Sequence, residues 1–141
     1  MNLYESVYEL KVSFEDLDPM NIVWHGNYMR YMERARCDLL EKLHYTYSDM
    51  KTDGYAYPIA KMKVKFIKPA KIGDILTIKL GIVSIEPTLN IKYTIFNNTT
   101  GDKIFEALTM QIGINIHTGE SVYTPPKGLI QAIKEVTDEK V

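Results

Sequence analysis

One cysteine, Cys37, and one tryptophan, Trp24, are all that the sequence holds of those two residue types. A single cysteine excludes an intrachain disulfide and a thiolate metal cluster within one chain, and it suits the reducing cytoplasm in which the protein is expected. No apolar run approaches membrane-spanning length. Glu5 and Glu9 break up the first residues in an alternating pattern unlike a signal peptide, so no membrane partner is expected. An excess of charge is also missing: 17 Lys and Arg against 18 Asp and Glu leave a net charge of -1. Nucleic acid is therefore not an expected partner, and any attraction to phosphates must come from local lysines. Walker and GxGxxG patterns, repeats, low-complexity stretches and linkers are absent, so residues 1–141 read as one domain. A chain of that length with 45% hydrophobic residues buries about 68 to 70% of its unfolded surface, enough for one core.

The strongest pattern present is period-two alternation. Tyr8, Leu10, Val12 and Phe14 alternate with polar residues, giving a first strand from Tyr4 to Phe14 with one buried face. Tyr28, Tyr31, Met32, Ala35, Leu39 and Leu43 then recur at helical steps, predicting an amphipathic helix of about four turns. Its outer side offers Arg34 with Asp38 and Asp38 with Lys42 at i,i+4 spacing. The segment from His44 to Pro58 reads as loop. Ala60, Met62, Val64 and Phe66 alternate with Lys61, Lys63 and Lys65, a lysine row that marks an exposed face or an edge. Leu76 to Ile82 and Leu89 to Ile95 repeat the pattern as antiparallel neighbours, and Asn97 to Asp102 reads as a hairpin loop. Leu108, Met110, Ile112, Ile114 and Ile116 predict the longest strand, with Thr109 and Gln111 on a polar outer face beside Glu9, Lys11, Thr77, Lys79, Asn90 and Lys92. Leu129, Ile130, Ile133 and Val136 predict a short C-terminal helix before a charged tail.

Between the first strand and the long helix runs FEDLDPMNIVWHGNYMRYMERAR, from Phe14 to Arg36. It sets Asp16 and Asp18 in a turn-prone segment a few residues before a helix start. Such a start exposes unpaired N–H groups and partial positive charge, which suit a developing anion, while a nearby carboxylate can serve as base or nucleophile. That combination suits acyl transfer.

In this stretch Asp16-x-Asp18, Ile22-Val23-Trp24-His25-x-Asn27-Tyr28 and Tyr31-x-Glu33-x-Ala35-Arg36 resemble the hotdog-fold acyl-CoA thioesterases. The resemblance is to the 4-hydroxybenzoyl-CoA thioesterase group with its bacterial short-chain acyl-CoA relatives. It implies an α+β hotdog fold: a curved five-stranded antiparallel sheet wrapped around one long central helix, with the short helix at the C-terminus. It also implies at least a homodimer or homotetramer joined at sheet edges, with sites at the boundary.

By the same resemblance Asp18 is the catalytic carboxylate, activating water or attacking the carbonyl itself, and Asp16 is structural. His25 is an auxiliary catalytic group. The backbone N–H groups of Trp24, His25 and Gly26 are the expected donors to the carbonyl oxygen. Asn27 and Tyr28 are expected to shape the pocket, Asn27 being equally suited to cap a helix. Glu33 and Arg36 are expected to pair. Lys61, Lys63, Lys65 and Lys68, with Thr88, are candidates to hold coenzyme A, which enters as part of the substrate. Glu86-Pro87-Thr88 is acidic where the hydroxybenzoyl enzymes carry a basic loop, which leaves an acyl-carrier-protein substrate open. Asp16, Asp18, His25 and Glu33 match no metal-ligand spacing, so neither metal nor other cofactor is expected. Besides thioester hydrolysis, a hotdog hydratase or dehydratase and a non-catalytic acyl-binding module stay open on these residues.

Overall fold

The computed structural model describes residues 2–139, with side chains described to 137. Strand β1 (Tyr4–Lys11) leads through a 3-10 turn (Phe14–Asp16) to helix α1 (Asn27–Leu43), then α2 (Tyr47–Thr52) and β2 (Tyr55–Ala56). Four long strands follow, β3 (Ile59–Phe66), β4 (Ile75–Ser84), β5 (Leu89–Asn97) and β6 (Asp102–Gln111). The chain closes with β7 (Gly113–Asn115), β8 (Ser121–Val122) and α3 (Lys127–Glu139). Five strands form one antiparallel sheet in the order β1-β4-β5-β6-β3, and β2-β7-β8 form a small second sheet.

The expected five-stranded antiparallel sheet is thus present, with α1 against it. Leu76, Ile78, Leu80 and Ile82 of β4 and Leu89, Ile91, Tyr93 and Ile95 of β5 make the inner face. Tyr28, Tyr31, Met32, Ala35, Leu39, Leu40 and Leu43 of α1 are buried in the same core, so one helical stripe covers one sheet face. Tyr28 stacks on Phe105 with ring centroids 4.8 Å apart, and Phe66 meets both edge-on at 5.6 and 5.4 Å.

Several expectations fail for local reasons. Phe14 is 79% exposed, because the 3-10 turn ends the strand phase three residues after Lys11. The segment read as loop from His44 to Pro58 contains α2, nucleated by a Thr46–Asp49 capping box, and β2. The strand expected to be longest, β6, equals β4 in length and has the opposite phase to the one expected: Phe105, Ala107, Thr109 and Gln111 pair with inward residues of β5 and are buried, while Leu108 is 40% exposed on the outer face. That strand also ends at Gln111, and Ile114 belongs to the small sheet. In α3, Leu129 is buried but Ile130 is 44% exposed, and the helix continues to Glu139 through the expected tail, whose last two residues lie outside the described residues.

Asp38 pairs with Lys42 at 2.8 Å, whereas Glu33 is exposed and Arg36 buried. The expected Glu33–Arg36 pair is replaced by donation from Arg36 Nε to Tyr47 Oη at 2.7 Å and from Arg36 Nη1 to Tyr93 Oη at 3.2 Å. Gln111 Nε2 joins the same network, donating to Tyr47 Oη at 3.0 Å and to the Tyr57 carbonyl at 2.6 Å.

Buried phenols set an alkaline limit on stability. Burial pushes Tyr28 and Tyr57 up from 10.0 to about 12, and burial followed by a hydrogen bond to Asp16 raises Tyr31 further. A raised folded value means the protonated form favours the native state. The stabilisation is complete below pH 10.0 and is lost as pH climbs through about 12. Denaturant melts across pH 9 to 12, read alongside phenolate absorbance, should show stability falling only above about pH 10.

Candidate active site

Leu17 and Val23 form an isolated antiparallel bridge, closed by a tight turn in which Asp18 N–H donates to the Ile22 carbonyl at 2.8 Å. Asn21 N–H returns to the Asp18 carbonyl at 2.9 Å, with Asn21 at φ 64, a left-handed position that asparagine tolerates. Asp18 Oδ1 accepts the Met20 N–H at 2.8 Å, while Oδ2 has no hydrogen-bond partner among the described residues. Val23 N–H donates to the Ala70 carbonyl at 2.9 Å, fastening this turn to the segment that follows β3.

A pocket of about 310 Å³ lies between the two segments, lined by Asp18, His25 and Tyr28 together with Met20, Phe66 and Lys68. Of the expected site residues, the fold therefore brings Asp18, His25, Tyr28 and Lys68 together. Met20 and Phe66 were not foreseen in it; Phe66 is brought there by the Val23 to Ala70 hydrogen bond, which no local pattern announces. His25 is exposed, its ring 5.3 Å from Trp24 and 6.3 Å from Phe66 by centroids. Lys68 Nζ pairs with Asp102 at 3.2 Å on the surface, and that hydrogen bond holds the Asp102 carboxyl below its ordinary value.

Asp16 builds the approach to the helix. Its buried Oδ2 accepts the Ser13 N–H and the Tyr31 hydroxyl, both at 2.9 Å. Its carbonyl accepts the Trp24 N–H at 2.9 Å and Asn27 Nδ2 at 2.8 Å. Two expectations change as a result. The Trp24 N–H is committed to Asp16 and is not free for a substrate, leaving the N–H groups of His25 and Gly26 without a hydrogen-bond acceptor among the described residues. Asn27 is buried, and its side chain locks the loop instead of facing the pocket or capping the helix.

The remaining substrate-binding candidates lie elsewhere. Lys61, Lys63 and Lys65 pair in register with Met110, Leu108 and Glu106, which puts them on the outer sheet face, away from Tyr28 and Phe105. Thr88 is buried just before β5, where Leu89 pairs with Gln111, at the opposite end of the sheet from Phe105. Among the described residues no group of three or more His, Cys, Asp or Glu could hold a metal, and no helix is long and apolar enough to cross a membrane.

An antiparallel sheet with a helix over one face, and an acid beside that helix's start, is the architecture of the hotdog thioesterases. Residues 12–136 match the thioesterase-like superfamily, and the chain belongs to that family. It is 32% identical over 79 residues to the acyl-CoA thioester hydrolase YbgC of Escherichia coli, a match covering 56% of this chain and 59% of that protein. It is 25% identical to the 1,4-dihydroxy-2-naphthoyl-CoA hydrolase of Thermosynechococcus vestitus, over 94% of each chain. Its fold matches that of a 1,4-dihydroxy-2-naphthoyl-CoA thioesterase from Synechocystis with a TM-score of 0.84 at 21% identity, covering 95% of this chain and 98% of that one.

The glycine at the helix start lies against the Trp24 ring. A Cβ on Gly26 would overlap the half-exposed Trp24 indole, so Gly26→Ala must shift that ring. Because Trp24 is the only tryptophan, its emission reports this directly. Gly26→Ala should shift the emission maximum, and Tyr31→Phe, which removes one of the two hydrogen bonds to the buried Asp16 Oδ2, should cost about 1–3 kcal/mol in denaturant melts.

Proposed function

We propose that the chain hydrolyses acyl thioesters to a free acid and a thiol, with coenzyme A or an acyl-carrier protein as the thiol carrier. One observation carries the reading: Asp18, whose Oδ2 has no hydrogen-bond partner among the described residues, lines the same pocket as His25, at the helix start whose His25 and Gly26 N–H groups have no acceptor there. Water, losing its proton to Asp18, attacks the thioester carbon, and the oxyanion that forms is met by those two N–H groups. Collapse breaks the C–S bond, and the thiolate leaves with the proton that Asp18 returns. Direct attack by Asp18, giving a mixed anhydride that water then cleaves, uses the same groups. The His25 side chain orients water or the carboxylate. Tyr28, with Phe66 and Met20, supplies apolar walls for the acyl chain, and Lys68 at the mouth meets a carrier phosphate. A cytoplasmic location goes with substrates of this kind.

A free-thiol assay across acyl-CoA chain lengths tests the reading. Asp18→Asn should lower kcat by about 10² to 10⁴ with little change in stability. His25→Ala should lose less, because the backbone donor survives the substitution. Thiol release from no substrate in the panel, or full activity in Asp18→Asn, would overturn it.

The assembly we propose is a homodimer through β3, with a homotetramer as a pairing of such dimers. Every residue of β3 is exposed, Met62, Val64 and Phe66 among them at 38 to 49%, and one side of the strand has no neighbour in the sheet. A long unpaired edge of this kind pairs with another chain unless it is blocked. Light scattering should find at least a dimer, and Val64→Lys should shift it toward monomer.

A further inference from the structure

The outer face of the sheet carries a charge that the chain as a whole lacks. Lys63 and Lys65, with Lys92, surround a groove of about 630 Å³ whose apolar floor includes Val83 and Leu108, both about 40% exposed. Lys92 also borders a second groove of about 340 Å³, together with Lys79, Lys103 and Phe96, so the two lie side by side on the sheet. The lysines outnumber the acids lining these grooves, Glu5 and Glu106, although the net charge of the chain is -1. Glu106 is already engaged by Lys103, whose hydrogen bond holds its carboxyl below the ordinary range, with the fields of Lys65 and Lys92 adding to it.

We infer that this face docks an acidic helix of an acyl-carrier protein, which names the carrier within the thioester-hydrolase reading and rests on that reading. Lys65 on β3 and Lys79 on β4 stand three strand spacings apart, about 14 Å. A helix about 10–12 Å across fills that width. A single phosphate would engage one or two lysines, whereas a spread of ammonium groups around Val83 and Leu108 matches a helix with acids flanking an apolar residue. The face also borders the catalytic pocket. Lys65 points outward and its neighbour Phe66 lines the pocket, so an acyl-bearing arm passes around the end of β3 at Ile67 and Lys68.

The test compares one acyl group carried on coenzyme A and on a bacterial acyl-carrier protein, with wild type and K79E/K92E. Both lysines are exposed on central strands away from the catalytic pocket, and thermal melts with the milder K79Q/K92Q confirm the fold. K79E/K92E should cut kcat/KM for the carrier-protein substrate about tenfold through KM, change the coenzyme A substrate less than about twofold, and abolish the salt sensitivity of the former. The inference is overturned if both substrates fall together, if neither changes, or if only the coenzyme A thioester is cleaved. If neither is cleaved, the hydrolase reading fails separately, and calorimetric titration with the unacylated carrier protein decides the surface: saturable binding lost in K79E/K92E supports it, and no binding to wild type overturns it.

Discussion

The buried carboxylate of Asp16 is the interaction on which the geometry of the candidate site depends. Through Oδ2 it holds Ser13, where the chain leaves β1, and Tyr31, one turn inside α1; through its carbonyl it holds Trp24 and Asn27 at the helix start. Four bonds on one residue thus join strand exit, loop and helix. A buried carboxylate without such partners would cost far more than it returns, so the loop has one way to fold. By taking up the Trp24 N–H, Asp16 leaves the next two amides without an acceptor among the described residues, and in the proposed reaction these are the donors that meet the charge developing on the carbonyl.

The roles of the two aspartates therefore divide by burial, and burial is what the spacing of the acids could only suggest. Asp16 turns inward and spends both its carboxylate and its carbonyl on structure, while Asp18 keeps one oxygen free at a pocket. The motif made that division legible in the sequence. It could not show that the other wall of the pocket comes from Phe66 to Pro69, because the link is the Val23 to Ala70 hydrogen bond between segments more than forty residues apart. Nor could spacing reveal that Arg36 would find Tyr47 and Tyr93 in place of Glu33, since those phenols arrive from another helix and from the sheet.

Alternation identified β1, β4 and β5, where most apolar residues lie on the inner face, with Val7 and Val83 exposed and Ser6 and Asn97 buried as exceptions. It misled at β6, where the more apolar phase faces outward. Thr109 and Gln111 are buried with partners for their donors: Tyr93 beside the threonine hydroxyl, and Tyr47 with the Tyr57 carbonyl for the glutamine Nε2. A polar residue is inside when its hydrogen bond is inside, and the bonding groups lie from 16 to 64 positions away in the chain. Leu108 is released to the outer face by the same register and becomes the floor of the basic groove.

β3 concentrates these constraints in one strand. Its even positions from Met62 carry the apolar edge and a wall of the candidate pocket, and its odd positions carry the outer lysines. A slip of one residue would exchange the two faces entirely. The bulge between Ile59 and Lys61 takes up one extra residue, Ala60, so that Ile59 stays opposite the buried Gln111 while Lys61 opposes Met110 on the outside. Without that residue taken out of the count, Ile59 and Lys61 would share a face. Satisfying the Tyr57–Gln111 end of the core would then turn the lysines inward onto the helix. The bulge thus lets one strand keep Ile59 on the core side at one end, border the candidate pocket at the other, and present a cationic row to solvent along its length.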